Sequence, residues 1–316
     1  MDSICNTIGI DRVDMRERMV LIEEQHGCDA NFLVNALIAN ALKKDCGICF
    51  VLFHNTFSHY HNVGMRIGYN LMTLKEKGKV ALVEPMKELM HNINEICTDT
   101  ETMDVGNRIF SDLCIKVSDN SYNEVASQNK TVLIIIEDIS HLSDLGLSLR
   151  DSMYYVRYIR SLMESHPMTQ LCVTVHTYHN NAQNCILDFI CNNLKYMADL
   201  VLIAEPLVTG HSSDASGKVT VCWNVDSIRS EYHWTEKMTY LYKLLDWHFS
   251  WNLSTVYKVL YFESTYSSWR GRSALREIHT DYGGHRISCS RCLQKSKAIG
   301  SFGWLHRYGS QRYALR

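Results

Sequence analysis

What this chain lacks narrows the field first. No apolar run approaches the roughly 20 residues a helix needs to span a bilayer, so no membrane segment is expected. The N-terminus, Met1-Asp-Ser-Ile-Cys-Asn6, has no basic stretch followed by an apolar core, and no signal peptide is expected there. The 12 cysteines lack framework spacing and are scattered through apparent strands and helices, which suits buried thiols in a reducing compartment. There is no internal repeat and no low-complexity tract. Bulk positive charge is also missing. A net charge of -2 and a pI near 6.7 predict no general attraction to nucleic acid. These absences point to the cytoplasm or the nucleus.

The charge averages two unlike parts. Up to Asn252 the chain carries 21 Lys+Arg against 31 Asp+Glu, and from Leu253 onward 11 against 3. With 316 residues, 46% hydrophobic and 21% charged, it is long and apolar enough for one large or two medium domains with a sizeable core. The composition divides it into a polar lead-in (1–18), a domain (19–252) and a basic extension (253–316). In the lead-in, Ile8, Ile10, Val13 and Met15 are the expected packing contacts.

The most informative stretch runs from Val20 to Leu37. It predicts a strand, a turn containing Gly27 and a helix, which is the layout of a phosphate loop. The chemistry is absent. With Glu24 as first position of G-x-x-x-x-G-K-[ST], the second glycine becomes Asp29, the lysine Ala30 and the magnesium-binding hydroxyl Asn31. A phosphate loop needs backbone N–H groups, a cation and a hydroxyl. Here Asp29 crowds and repels an anion, and its simplest role is to cap the helix.

Thr131-Val-Leu-Ile-Ile-Ile-Glu-Asp138 is the strongest strand signal. An apolar run with acidic residues at its end resembles the magnesium-holding strand of phosphate-loop NTPases, with Asp138 facing the metal and Glu137 orienting water. Without the upstream lysine and hydroxyl, the plainer reading is a central strand whose carboxylates cap the next element. Further strands are predicted at 48–53, 79–85, 171–176, 199–204, 219–223 and 238–244. Helices are predicted after Asp29, after a Ser58 cap, through Ile109, Leu113, Cys114 and Val117, over 149–163, and over 182–196. An Asn/Ser/Asp-rich loop is expected at 118–130, and a turn-rich one over 210–217. Strands alternating with helices and ending in antiparallel hairpins imply an α/β domain with a mostly parallel central sheet and an antiparallel extension.

His54, His59 and His61 invite a metal reading, but His59 and His61 would point about 200° apart on a helix. We read them as loop and helix-surface residues, with no metal site. Cys46–Cys49 and Cys289–Cys292 are each half a zinc pattern with nothing linking them, and are read as unlinked thiols.

At Phe57-Ser-His-Tyr60, with Gly64 and Gly68 following, the chain resembles the Elongator complex protein 6 family. The likeness continues through Lys79–Glu84, Val132–Gly146 and Leu207–Gly210 to Gly217-Lys218-Val219, covering about residues 20–250. The resemblance implies a RecA-like fold without the usual ATPase signatures, no cofactor and no catalytic residues. It implies assembly with two paralogous subunits, Elongator complex proteins 4 and 5, into a hexameric ring. That ring docks on the catalytic Elongator core, engages tRNA and supports modification of the wobble uridine to 5-carboxymethyl-type derivatives. The extension 253–316 departs from the family and is read as a poorly ordered tail or a stretch of mistaken gene model rather than an RNA-binding module. Two rival readings follow from the residues alone. One is a variant ATPase using Glu137 and Asp138 with magnesium, and the other is a recombinase-type DNA-binding paralogue. In a ring, Arg66, Arg157 and Arg160 are the helix arginines available to a neighbour's site.

Overall fold

The computed structural model describes residues 1–87, 111, 113–115, 121–143, 147–178, 186–207 and 215–244. The extension 253–316, residues 210–214 of the turn-rich loop and most of the helix expected through Ile109 and Val117 lie outside these residues.

Uninterrupted β-branched and apolar runs become strands buried on both faces. β1 (Met19–Gln25), β2 (Gly47–Leu52), β3 (Val80–Val83), β4 (Val132–Glu137), β5 (Thr169–Thr177) and β6 (Leu200–Glu205) are parallel. β7 (Gly217–Trp223) and β8 (Met238–Tyr242) extend the sheet antiparallel. The order is β3-β2-β4-β5-β1-β6-β7-β8, so β1 lies between β5 and β6. The expected mostly parallel α/β sheet with its antiparallel extension is present.

Side chains alternate between two cores. Val20, Ile22, Leu133 and Ile135 face a core shared with α1 (Asp2–Ile8), α2 (Asn31–Lys43) and α3 (Phe57–Ile67). Met19, Leu21, Ile134 and Ile136 face one shared with α5 (Asn123–Gln128), α6 (Leu149–Ser165) and α7 (Ile186–Met197). α4 (Leu71–Glu76) and α8 (Asp226–Tyr232) are short connectors.

The lead-in belongs to the first core, where Ile8, Ile10, Val13 and Met15 are all buried. Gly9 ends α1 at φ 86 beneath the Trp234 ring, and the Trp223 indole N–H donates to Ile8 O at 3.1 Å. Two expectations need correction, and one helix was not foreseen. The cap of α3 is Thr56, whose side chain accepts from His59 N, because Ser58 already lies inside the helix. The loop expected at 118–130 contains α5, fixed by buried Val125 and by Asn129, whose amide donates back to Val125 O. α8 had no periodic signal and is anchored by buried Ile228.

Candidate functional site

In open parallel sheets, ligands bind beyond the carboxyl ends of the central strands. Here that edge is built from the turn after β1, the loop between β2 and α3, the 3-10 turn after β4 (Ile139–Leu142), and the end of β5.

Gly27, at φ 93, reverses the chain after β1 and lets it return over the strand end. The Ala30 N–H donates to Glu24 Oε2 at 2.8 Å, and the Asn31 N–H donates to Asp29 Oδ1 at 2.8 Å. The first donors of α2, which would cradle a phosphate, are thus occupied by the chain's own carboxylates. Asp29 supplies one helix-end bond as expected, but from one position further out, since Ala30 is the capping residue. Ala30 is buried against the first core, where a loop lysine would need to reach outward. Asn31 is held by the next loop, its Oδ1 accepting from Asn55 Nδ2 at 3.3 Å and from the Tyr60 hydroxyl at 3.4 Å.

Glu137 is only 3% exposed. Its carboxylate accepts from His54 N (2.9 Å), from Asn55 N (3.2 Å) and from Asn55 Nδ2 (2.6 Å). Burial raises its pKa, and these donors pull against that rise. Asp138 follows in a left-handed conformation, φ 53 and ψ 70, which among non-glycine residues favours asparagine, aspartate and histidine. Its N–H donates to Thr174 Oγ1 at 2.6 Å, its Oδ1 accepts from Ser140 Oγ, and its Oδ2 lies 3.2 Å from His141 Nε2. Burial by itself would raise the Asp138 pKa, but the bonds from His141 and Ser140 bring it below the ordinary value. Glu137 thus braces the loop after β2 and Asp138 the side chains of its own turn; neither makes the side-chain cap to the next element that the plainer reading of the strand expected.

The parallel register sets Glu24 beside His176, whose Nδ1 lies 3.3 Å from Glu24 Oε1. That carboxylate raises the imidazole pKa. Together these groups line a cleft of about 90 Å³ that includes Glu24, Asn31, His54, Glu137, Asp138 and His176 and, among the described residues, no lysine or arginine. It is far below the roughly 300 Å³ at which small-molecule pockets begin, and its carboxylates repel phosphate.

Of the three histidines singled out, His54 reaches this edge. His59 and His61 lie half-buried on α3. His141 and His176 carried no local sequence signal. Arg66 and Arg157 are exposed, while Arg160 is engaged with Glu164 and Met197 O. Cys46 and Cys49 are both buried; Thr131 Oγ1 donates to Cys46 Sγ at 3.0 Å, and burial pushes the Cys49 thiol up to about 12. Cys289 and Cys292 lie outside the described residues.

This topology, with the first donors of α2 taken up by Glu24 and Asp29, defines an α/β domain built on a mostly parallel central sheet with an antiparallel C-terminal extension. The chain belongs to the Elongation complex protein 6 family, whose model matches residues 2–246. Elongator complex protein 6 of Mus musculus is 26% identical over 224 residues, which is 69% of this chain and 84% of the relative. The Homo sapiens relative is 24% identical over 252 residues, 78% of this chain and 93% of its own length. The Drosophila melanogaster relative is 24% identical over 205 residues, covering 64% and 77% respectively.

Proposed function

We propose that the chain is a non-catalytic subunit of the Elongator complex, working in the cytoplasm or nucleus. It assembles with two paralogous RecA-like subunits, Elongator complex proteins 4 and 5, into a hexameric ring. The ring docks on the catalytic core, engages tRNA through backbone phosphates and supports wobble-uridine modification, whose chemistry belongs to another subunit. Residues 253–316 are dispensable for assembly in this reading.

The observation that carries the proposal is the self-satisfied head of α2. With Ala30 N–H on Glu24 and Asn31 N–H on Asp29, a triphosphate would have to displace two charge-assisted bonds of about 1.5–3 kcal/mol each. Among the described residues, no lysine or arginine lines the cleft to compensate. What remains available is surface. Tyr154 and Tyr158 on α6, with Phe189 (55% exposed) and Tyr196 (92% exposed) on α7, are large side chains left in solvent on two helices that contact each other. Large exposed aromatic side chains of this kind suit the core of a subunit contact.

The test is co-expression followed by size-exclusion chromatography with light scattering. The chain alone should aggregate or elute heterogeneously, and both paralogues together should rescue one hexameric species. Removal of residues after Trp251 should leave that species intact, whereas Phe189→Asp combined with Tyr196→Asp should weaken it. A well-behaved monomer indifferent to both paralogues contradicts the proposal.

A further inference from the structure

The groups that make this edge hostile to phosphate suit a cation. His54, Asp138 and His141 each bring one donor atom within 4.8 Å of the other two. They come from two elements that β-pairing sets side by side, since Leu52 on β2 is in register with Glu137 on β4. Asp138 and His141 stand on one face of the 3-10 turn, and the His54 and His141 rings lie nearly parallel, 5° apart with centroids at 5.0 Å.

We propose that His54, Asp138 and His141 bind a divalent transition-metal ion of the zinc class, with a fourth position open to water. A tetrahedral ion with bonds near 2.1 Å holds its donors about 3.4 Å apart. Asp138 Oδ2 and His141 Nε2 are already at 3.2 Å. His54 is exposed in the loop after β2, and its ring nitrogens make no hydrogen bond to any described residue, so rotation about its side-chain bonds closes the remaining gap. The ion takes the place of the hydrogen bond between Asp138 and His141.

The surroundings hold these ligands in place. Ser140 Oγ occupies Asp138 Oδ1 and leaves Oδ2 directed at the site. The backbone N–H of Asp138 is pinned by Thr174 and that of His54 by Glu137. Such outer contacts orient ligands and tune affinity. Two imidazoles and one carboxylate select zinc, nickel or cobalt over magnesium and calcium, which prefer all-oxygen sites. This separates the site from the magnesium of a nucleotide-bound ATPase. As a bare ion pair, Asp138 and His141 would have no use for the third donor from another loop.

The site does not depend on ring assembly, so it is tested on the full-length chain, alone or co-purified with its partners. Zinc is titrated against a chromophoric chelator, and cobalt replaces it for spectroscopy. Because the chain has 12 cysteines, the quantity read is the difference between wild type and variants. Wild type should bind one equivalent more than His54→Ala or Asp138→Asn, with affinity at that site weakened at least about 100-fold. His54→Asn should behave as His54→Ala does, and His59→Ala should match wild type. Cobalt should give a visible band without thiolate charge transfer, and His54→Ala should lose it. Metal-free His54→Ala should melt like metal-free wild type, which separates ligand loss from misfolding. Equal stoichiometry in wild type and His54→Ala, a cobalt band untouched by the change, or displacement of zinc by millimolar magnesium overturns the proposal.

Discussion

Glu137 separates a structural carboxylate from a catalytic one. It receives two backbone N–H groups and the Asn55 amide while almost wholly buried. Hydrogen bonds to a charged acceptor contribute about 1.5–3 kcal/mol each. Glu137→Ala strands all three donors, but water reaches those near exposed His54 and half-buried Asn55 and recovers part of the loss. The desolvation that raises the Glu137 pKa is also relieved. The net loss should be about 3 kcal/mol for Glu137→Ala and about 1 kcal/mol for Glu137→Gln, which keeps one acceptor. At about 2–4 °C per kcal/mol for a domain of this size, Tm falls by about 6–12 °C for Ala and about 2–4 °C for Gln. The assay is thermal unfolding with a chelator present, followed by circular dichroism. A glutamate kept for turnover behaves in the opposite way, since replacing active-site groups tends to leave stability unchanged or improved. Glu137→Ala melting at or above the wild-type temperature would refute the structural role.

Three further outcomes follow from the same structure. The Glu24–His176 pair holds the His176 pKa above its unfolded value of about 6.5. Its contribution is therefore complete below that value and is lost as pH rises through the raised folded one. Urea melts at about pH 6 and about pH 8 with chelator present should show wild type losing stability and Glu24→Gln losing less, and parallel behaviour would remove the pair from the account. Gly9→Ala combines φ 86 with a Cβ only 2.8 Å or less from two Trp234 ring carbons. Strain and overpacking should lower the urea-derived stability by about 2–4 kcal/mol, and an unchanged midpoint would mean the lead-in is not docked as described. Burial pushes the Cys49 and Cys172 thiols up to about 12. Mass spectrometry should find neither alkylated at about pH 8 until urea is added, and native-state modification of Cys49 would contradict a closed second core.

The parts of this fold that could be read from residues are those where one segment carries its own signal. β4 is an unbroken Val-Leu-Ile-Ile-Ile run, and such a run needs cover on both faces wherever it sits. The missing lysine and hydroxyl at Ala30 and Asn31 were equally plain. α5 and α8 were not, because Asn123–Gln128 and Asp226–Tyr232 are six and seven residues of polar sequence, each fixed by one buried side chain. The site was half legible. Asp29 could be read as a helix-end acceptor from its position. Glu24 folding back onto Ala30 depends on the Gly27 reversal, and Glu24 meeting His176 depends on β1 lying beside β5. His54 and His141 meet only because β2 and β4 are paired, and no local spacing records that.

The central claim is that this RecA-like domain has exchanged phosphate binding for internal carboxylate contacts. It is tested most directly by titrating the purified full-length chain with ATP and magnesium in a calorimeter. Wild type and Asp138→Asn alike should give no saturable heat at millimolar ATP. Saturable binding that Asp138→Asn abolishes, accompanied by ATP hydrolysis, would contradict it and restore the ATPase reading.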